Sequence, residues 1–574
     1  MALTSAYHKL QFDGGARPLM ARDILFFICR AVGPPMDKNL HARVLKYVKA
    51  EQPLGPADAH QIDDPEVAAL LFDPHNTSFN TLLKKDISLV IGRRGSGKTA
   101  LLNSYLYKPY FAMAVLNAAQ EARLDVSDYK IVIPILSHKL FEQMQAYVTG
   151  SSAAWRPIES IIEAWADLLI DHILASLLHS SSDAGTNDQL EIIRSYLSAP
   201  ELRKKSEAYR LVWGTDIWGS LKSKLLKKGD NRKKLASKQE AWQACIGFLD
   251  HNRHRAVVIF DSMDEYEIGN PTVDRTIGGL LRFVSQFNNQ HERIKVKLGL
   301  PSEVFPEIQR ASANPLKDFV SFDQVRWTSV ELARISAHRY RLFLSLFDAD
   351  CFSEIMGIDL NKRDGIRRFW GRFLSEPQKN RYGHEENSMT YMLRHTQLLP
   401  RQFFRILQRV VLESFSTTGG YRLLTGNAVV SSISDMEPII AGEIIQGFKY
   451  VYPYAENLSK AMFGSFPTVF SYDQLEDKWR KVGRAFMRKH EAEFELVHLT
   501  EMLLRMGIIG TVEAETEKYV VAEFAYHKLI PPAVGDRHEF AVHPVFSRYF
   551  SCSRNRQGKA ILPHGASLDI LRTS

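Results

Sequence analysis

Short apolar runs alternate with longer segments of helical apolar spacing between about residues 86 and 327. Runs rich in β-branched residues are typical of strands that are buried on both faces. The pattern predicts five strands, at residues 86–92, 129–136, 255–261, 294–300 and within 319–327. Because strands alternate with helices, we expect a parallel sheet covered by helices on both faces, which is an α/β fold.

Strand patterns become sparse after residue 327, and helical spacing over residues 329–347 opens a long helical region. Near the end, a predicted helix precedes three short strand-like runs, an order typical of a winged helix. We therefore expect an N-terminal helical region (1–80), an α/β core (81–327) with a helical insertion at about 140–254, a helical lid (328–430), a helical, winged-helix-like domain (431–552) and a tail (553–574).

The composition is that of an ordinary globular protein, with 574 residues, 45% hydrophobic and 11% aromatic. The longest apolar runs fall short of the ~20 residues that cross a bilayer, and the N-terminus lacks the pattern of a signal peptide. The four cysteines are scattered, which argues against a zinc site or a disulfide framework. We expect a cytoplasmic protein without a membrane partner.

Positive charge is concentrated in one segment. Residues 202–238 contain twelve Lys or Arg and three Asp or Glu, a net charge of +9, whereas the whole chain carries +8. The densest part begins at Lys222 and ends at Lys238. Such a run is either a solvated helix face or a contact for a polyanion, above all nucleic acid.

The candidate chemistry begins directly after the first predicted strand. The pattern Gly-x-x-x-x-Gly-Lys-Thr stands between that strand and a predicted helix, which is the context of a phosphate-binding loop. Glycines let the backbone N–H groups face phosphates, and the helix N-terminus favours negative charge. We expect Lys98 to contact the β- and γ-phosphates and Thr99 to help hold Mg²⁺. The expected binding residues are Gly92, Arg93, Arg94, Gly95, Ser96, Gly97, Lys98, Thr99 and Ala100.

The third predicted strand ends in Asp261, an acid at the tip of an apolar strand, which can hold Mg²⁺ directly or through water. Asp264 and Glu265 follow three and four residues later. A carboxylate at that place can orient and activate a water for attack on the γ-phosphate. Together the loop and these acids predict a site for ATP and Mg²⁺ in which Glu265 or Asp264 is catalytic.

The Asp-Ser-Met-Asp-Glu sequence at residues 261–265 resembles the Walker B motif of STAND NTPases, particularly the NACHT type. The wider plan resembles the AAA+/STAND branch of P-loop ATPases, with an origin-recognition-like lid and winged helix. ATPases of this build often occur in anti-phage defence and mobile-element loci. The resemblance implies that Asp261 is the metal acid and that Glu265 or Asp264 is the catalytic one.

The same resemblance implies three further roles. The fourth strand of this branch usually ends in a polar sensor residue, for which Ser302 and its neighbour Glu303 are the candidates. Arg401, in a Pro-Arg pair at the start of a helix, is similar to the lid arginine that senses the γ-phosphate. Arg310 precedes the fifth strand, where an arginine finger that bridges subunits often lies. An ATP-dependent homo-oligomer would follow from such a finger.

Three functions fit these patterns. The first is an ATP-driven switch that acts with a partner protein or polynucleotide, in a setting such as anti-phage defence. The second is a DNA-binding ATPase similar to origin-recognition or transposition ATPases; the acidic stretch at 511–518, in the expected wing, argues against simple wing-to-phosphate contact. The third is a scaffold that binds nucleotide without turnover, against which the presence of Lys98, Asp261 and Glu265 counts.

Overall fold

The structure is a computed structural model. It describes residues 38–82, 87–107, 110, 129–135, 137–149, 156–180, 187–199, 235–261, 270–312, 321–374, 377–489, 494–529, 532, 534–535, 537–555 and 558–567. Asp264, Glu265, residues 1–37 and all but the last four residues of the basic segment lie outside these ranges. Among the helices described, none is both long and apolar enough to cross a membrane.

Five parallel strands form the central sheet and confirm the α/β fold. Their order is β2-β3-β4-β1-β5, and each hydrogen-bonded pair is parallel. The strands are β1 (Leu89–Gly92), β2 (Tyr129–Ile135), β3 (Arg255–Phe260), β4 (Ile294–Pro301) and β5 (Phe322–Gln324). The carboxyl ends of β1, β3 and β4 therefore meet at one edge, where parallel sheets of this kind bind ligands.

Ten of the described α-helices lie before or between these strands, four of them in the connection from β2 to β3. They are α1 (Lys38–Val44), α2 (Pro65–Leu71), α3 (Thr77–Leu82), α4 (Lys98–Tyr107), α5 (Ser137–Thr149), α6 (Ile158–Ser180), α7 (Asp188–Leu197), α8 (Lys238–His251), α9 (Pro271–Gln290) and α10 (Phe305–Ala311). The buried indole of Trp165 in α6 donates to the carbonyl of Thr276 in α9, at 3.2 Å. Gly279 permits this close packing, because a Cβ there would lie 2.5 Å from the side chain of Ile161.

A helical region follows the sheet. It contains α11 (Ser329–Phe347), α12 (Ala349–Ile355), α13 (Arg363–Phe373), the two-stranded β6 (Gln378–Lys379) and β7 (Glu385–Glu386), α14 (Ser388–Arg394), α15 (Pro400–Thr418) and α16 (Gly426–Gly447). Local sequence explains its boundaries. Thr328 and Glu331 form a capping box at the start of α11, and Pro400 occupies the first position of α15. Gly419, with φ of 70°, ends α15 in the left-handed conformation.

The C-terminal region combines helices with a second sheet, of order β12-β10-β9-β11-β8. Its elements are α17 (Ala455–Phe463), β8 (Val469–Ser471), α18 (Tyr472–Lys478), α19 (Arg484–Lys489), α20 (Leu496–Met506), β9 (Ile509–Glu515), β10 (Tyr519–Phe524), β11 (Glu539–Val542), α21 (Pro544–Ser547) and β12 (Ala560–Pro563). The predicted helix and three strands are present as α20, β9, β10 and β11. The sequence analysis did not predict β8 and β12, and β12 lies within the segment assigned to the tail. The winged-helix assignment stays a prediction.

Residues before the first strand pack against the helical region. Two arginines of α11 hold them there. Arg334 forms an ion pair with the buried carboxylate of Asp73 at 2.7 Å. Arg339 donates to the carbonyls of Leu71 and Pro56, each at 2.9 Å, and its guanidinium lies 4.3 Å from the ring centroid of Phe404. The segment from about 54 to 76 is therefore fixed between the sheet and the helical region.

Candidate nucleotide-binding site

The loop after β1 has the backbone shape that a phosphate cradle needs. Gly95 and Gly97 have φ of +81° and +88°, a region in which residues with a side chain are strained. Lys98, the first residue of α4, is 6% exposed, and its ammonium donates to the carbonyls of Gly92 at 2.9 Å and Arg93 at 3.2 Å. The loop thus closes around the lysine at a helix N-terminus, which attracts phosphate.

Neighbouring elements hold the loop in place. The indole N–H of Trp327 donates to the carbonyl of Ser96 at 2.7 Å. The backbone N–H of Arg94 donates to a carboxylate oxygen of Glu303, which follows β4, at 2.7 Å. Glu303, named in the sequence analysis beside Ser302 as a sensor candidate, therefore contacts the loop itself. A sensor role for either residue stays a prediction.

Asp261 follows β3 and faces the same edge of the sheet. One of its carboxylate oxygens lies 3.6 Å from Nε2 of His60. The other, Oδ1, is buried and has no hydrogen-bond partner among the residues that the structure describes. The Thr99 hydroxyl lies 3.2 Å from the same His60 nitrogen. The predicted metal residues Thr99 and Asp261 thus both lie near the same ring nitrogen of His60.

These residues fit Mg²⁺. A buried carboxylate oxygen without a partner is a ready ligand, and Thr99 supplies a hydroxyl beside it. Mg²⁺ is usually held by one or two protein oxygens together with substrate phosphates and water. Within the described ranges, no cluster of three or more His, Cys, Asp or Glu could hold a metal without such help. The site therefore suits a metal that arrives with a nucleotide.

A cleft of about 1020 Å³, open to solvent, lies between the loop and the segment before it. Its polar end is formed by residues 95–100, Asp58, His60 and Asp261. Its apolar end is formed by side chains of the N-terminal segment, α4 and the helical region, namely Ala57, Ile62, Ala68, Leu71, Phe72, Tyr107, Ile335 and Phe404. A pocket with one polar and one apolar end matches a ligand that joins phosphates to a planar base.

The N-terminal segment contributes to the cleft, although no pattern in the sequence predicts a role for it. Asp58 and His60 lie in or beside a short 3₁₀ helix, Ala59–Gln61, in a stretch with no chemical motif. Buried Arg339, whose contacts bring this stretch to the cleft, looks in the sequence like any helical arginine. Its burial lowers the pKa of the guanidinium to about 9, so it remains mostly charged at neutral pH.

Arg401 lies against the loop, as a lid arginine would. Its backbone N–H donates to the carbonyl of Gly95 at 3.3 Å, and its guanidinium pairs with Asp58 at 2.5 Å. A Cβ on Gly95 would lie 2.9 Å from the Cβ of Arg401, so only glycine permits this approach. Sensing of the γ-phosphate by Arg401 stays a prediction.

The other candidates lie elsewhere. Arg310, in α10, is 74% exposed, pairs with Glu307 at 2.7 Å and does not line the cleft. Its role as a finger between subunits stays a prediction.

Lys238, the last residue of the basic segment, pairs with Asp171 at 2.8 Å and with Asp167 at 2.6 Å. For Asp264, Glu265 and residues 202–234 the structure describes no contacts.

The side chain of Arg93 makes contacts that its position inside the phosphate-loop motif did not predict. It is 7% exposed and points away from the cleft, toward the C-terminal region. Its guanidinium donates to the side chain of Gln397 and to the carbonyls of Arg505 and Met506. Burial lowers the pKa of Arg93 to about 10. The loop therefore has a direct connection to the end of α20.

No family model matches the chain, and no curated protein is significantly similar to it. Solved structures with similarity over most of their length include the ORC2 protein of Aeropyrum pernix in its ADPNP-ADP complexes (13% identity, 81% of this chain and 88% of that chain, TM-score 0.35). A second is the A. pernix ORC1 protein in complex with DNA, with 11% identity over 84% of this chain and 96% of that chain and a TM-score of 0.29. A third is Cdc6p of Pyrobaculum aerophilum, with 11% identity over 81% of this chain and 87% of that chain and a TM-score of 0.22. TM-scores and identities of this size do not establish a shared function.

Proposed function

We propose that this chain binds ATP with Mg²⁺ in the cleft, hydrolyses it and passes the state of the nucleotide to its C-terminal region. The observation that supports this most is the pairing of two features across one cleft. The glycine loop around Lys98 lies on one side, and the unpartnered carboxylate oxygen of Asp261 lies on the other. A surface turn with an incidental lysine would need neither the positive φ angles nor the buried acid.

Each residue has a role that follows from its position. Lys98 would leave the carbonyls of Gly92 and Arg93 and contact the β- and γ-phosphate oxygens instead. Loop N–H groups and the N-terminus of α4 would contact the remaining phosphate oxygens. Thr99 and Asp261 would hold Mg²⁺, which when bound supplies positive charge against the phosphate oxygens. The base would lie at the apolar end, beside Ala57 and Leu71.

Hydrolysis requires a group that orients water in line with the γ-phosphate. We assign this to Glu265, with Asp264 as the alternative, because both follow the metal acid closely in the chain. Arg401 would stabilise charge on the γ-phosphate, for which its guanidinium would have to exchange Asp58 for phosphate. Such an exchange would let ATP alter the contact between the N-terminal segment and α15.

Two substitutions test the proposal. Lys98→Ala should abolish binding of a fluorescent ATP analogue in the presence of Mg²⁺, whereas Lys449→Ala, which removes an exposed lysine outside the cleft, should not. Glu265→Gln should retain binding and lose hydrolysis. If Asp264→Asn is inactive and Glu265→Gln is not, the catalytic role moves to Asp264. Undiminished binding by Lys98→Ala would remove the basis of the site.

Binding of nucleic acid is a second candidate function, favoured by the net +9 in residues 202–238. Phosphate contacts give affinity that falls with salt, with a log–log slope of roughly −0.9 per phosphate neutralised on duplex DNA. Replacing Lys227, Lys228, Arg232, Lys233 and Lys234 by Gln should flatten that slope and leave basal ATP hydrolysis unchanged. Equal slopes for the wild type and the variant with the five substitutions would show that this segment does not contact DNA. The contacts of the described residues do not bear on a setting in phage defence.

A further inference from the structure

A second cavity, which shares no lining residue with the nucleotide cleft, lies between the helical region and the C-terminal region. Its volume, which includes space open to solvent, is about 780 Å³. Its walls come from the turn between β6 and β7, from α14 and α16, and from residues 542–548 around α21. We call it the Tyr382 cavity, after the aromatic ring in the β6–β7 turn. Nothing in the proposed ATP chemistry uses it.

Positive charge gathers around the Tyr382 cavity without matching negative charge. Within the part of the chain that the structure describes, the side chains of Lys379 and Arg548 form no hydrogen bond or ion pair. Arg381 donates only to hydroxyls, at 2.7 Å to Ser547 and at 3.0 Å to Tyr382. Three exposed cations, none with a carboxylate partner among the described residues, therefore line one concave surface, and a concavity lined by charge of one sign attracts ions of the other.

The buried carboxylates near the cavity are already engaged, and exposed Glu385, opposite Lys379 in the β6–β7 pair, does not line the cavity. Glu386 is buried and binds Arg394 at 2.8 Å, as well as the amide of Asn380. Glu437, 7% exposed, lies 2.5 Å from Nδ1 of His395. Burial raises the pKa of Glu437 to about 7, and the positive charges of Arg548, Arg394 and Arg381 partly offset the rise. Glu437 is thus only partly ionised near neutral pH, and the cavity keeps an excess of positive charge.

An aromatic ring orients the guanidinium groups. The guanidinium carbon of Arg381 lies 5.0 Å from the ring centroid of Tyr382, and that of Arg554 lies 5.7 Å from the same centroid. Arginines held on a ring present their planar N–H forks in a fixed direction, the arrangement that binds two oxygens of a phosphate at once. The cavity therefore combines uncompensated charge with pre-oriented donors.

We propose that the Tyr382 cavity is a second ligand site, which binds a small phosphorylated molecule through Arg381, Arg548 and Lys379. A small ligand is favoured over a nucleic-acid backbone because the cations line a concavity rather than a strip along the surface. Since the walls come from the helical region and the C-terminal region, a ligand there would contact both. The site is independent of the proposed ATP cleft.

The test uses the full-length chain carrying Lys98→Ala, so that the loop after β1 no longer competes for phosphate. Calorimetric titration with tripolyphosphate at ~150 mM NaCl should show binding. Adding Arg381→Gln and Arg548→Gln should weaken it at least about tenfold, because each charge-assisted bond to phosphate contributes more than a neutral one. Adding Arg405→Gln and Arg409→Gln, which change a partly exposed and an exposed arginine of α15 that pair with Glu443 and Asp435, should leave it unchanged.

Two further measurements keep the result decisive. Lys379→Glu, an exposed change, should reproduce the loss if the double variant is unstable in thermal melts. A 20-base-pair duplex, titrated in parallel, separates a small ligand from nucleic acid. Equal tripolyphosphate affinity with and without the cavity substitutions would overturn the proposal. The proposal would also be overturned if the cavity substitutions weakened binding of the duplex but not of tripolyphosphate. Neither result depends on whether the chain hydrolyses ATP.

Discussion

The guanidinium of Arg93 donates a hydrogen bond to the carbonyl of Arg505, 412 positions further along the chain. Arg505 in turn donates to the carbonyl of Glu303 at 3.0 Å and pairs with Glu307 at 2.8 Å. Glu303 accepts the backbone N–H of Arg94. The loop proposed to bind phosphate, the end of β4 and the end of α20 thus form one buried network. A shift of the loop on binding ATP would reach α20 through it.

Arg93→Met should uncouple α20 from the nucleotide. Methionine has no donors, so the Gln397 side-chain oxygen and the Arg505 carbonyl lose the hydrogen bond from Arg93, while the Met506 carbonyl keeps the Gln397 amide. We expect a cost of about 2–4 kcal/mol in the free energy of unfolding. We expect the wild-type protein to change the hydrogen-exchange protection of residues 496–509 when a non-hydrolysable ATP analogue binds. In the variant that change should disappear while nucleotide binding persists.

The control for this prediction is the next residue. Arg94→Met keeps the backbone N–H that bonds to Glu303 and leaves the contacts to Arg505 and Met506 in place. It should therefore retain the ligand-dependent change in protection. If Arg93→Met shows the same change as the wild type, the network does not transmit the state of the cleft.

His60→Ala should strengthen the dependence of ATP binding on Mg²⁺. Nε2 of His60 lies 3.2 Å from the Thr99 hydroxyl and 3.6 Å from the Asp261 carboxylate, the two groups proposed to hold the metal. The imidazole must leave this place before the metal can enter, and alanine removes that cost. We expect the ratio of ATP affinities with Mg²⁺ and with EDTA, measured by calorimetry, to rise several-fold.

Gln61→Ala is the matched control, because Gln61 is exposed, belongs to the same 3₁₀ helix and does not line the cleft. It should leave the ratio unchanged. A ratio that falls in His60→Ala would mean that His60 assists the bound metal or nucleotide instead of competing with it.

The sequence predicted those parts of the site whose signals are local. The loop from Gly92 to Thr99 and the acid at Asp261 each belong to a strand and the residues that follow it, so pattern and spacing were sufficient. The five strands of the sheet could be predicted for the same reason. Alternation of buried strands with helices extends over enough residues to be recognised.

Contacts between distant segments could not be predicted. Arg339 of α11, which binds the carbonyls of Leu54, Pro56 and Leu71, helps to hold the segment that brings His60 to the cleft. Backbone acceptors leave no pattern in a sequence. Arg93 was expected among the binding residues of the loop, and its contacts to Gln397 and Arg505 could not be predicted because these partners are more than 300 residues away. β8 and β12, of three and four residues, were missed because neither belongs to a series of alternating strands and helices like the one that reveals the equally short β1 and β5.

Ala57→Trp should weaken ATP binding more than tripolyphosphate binding. Ala57 is partly exposed and lines the apolar end of the cleft, where the base is proposed to lie. An indole there would occupy part of a preformed pocket and reduce the affinity for ATP by about tenfold or more, whereas a ligand without a base avoids the clash. Calorimetry with both ligands measures the difference.

Leu70→Trp provides the comparison, because Leu70 is 39% exposed on α2 and lies outside the cleft. It should bind both ligands as the wild type does. An equal loss of both affinities in Ala57→Trp would place the base elsewhere or indicate a general distortion of the loop.

Glu437→Gln should change how stability depends on pH. Burial raises the pKa of Glu437 to about 7 in the folded protein, above the ordinary value near 4.5, so between these values the folded state binds more protons than the unfolded state. The contribution of this carboxyl to stability is therefore complete below about pH 4.5 and is lost as pH rises through about 7. Burial also lowers the pKa of His395 well below its usual range. The free energy of unfolding of the variant, measured with urea in phosphate-free buffer, should rise relative to that of the wild type by about 2–3 kcal/mol from pH 5 to pH 8.

If Glu437→Gln also loses the contact with His395, that loss lowers the free energy of unfolding equally at both pH values and cancels in this comparison. A difference that does not change with pH would mean that Glu437 titrates near its ordinary value and that the cavity around it is well hydrated.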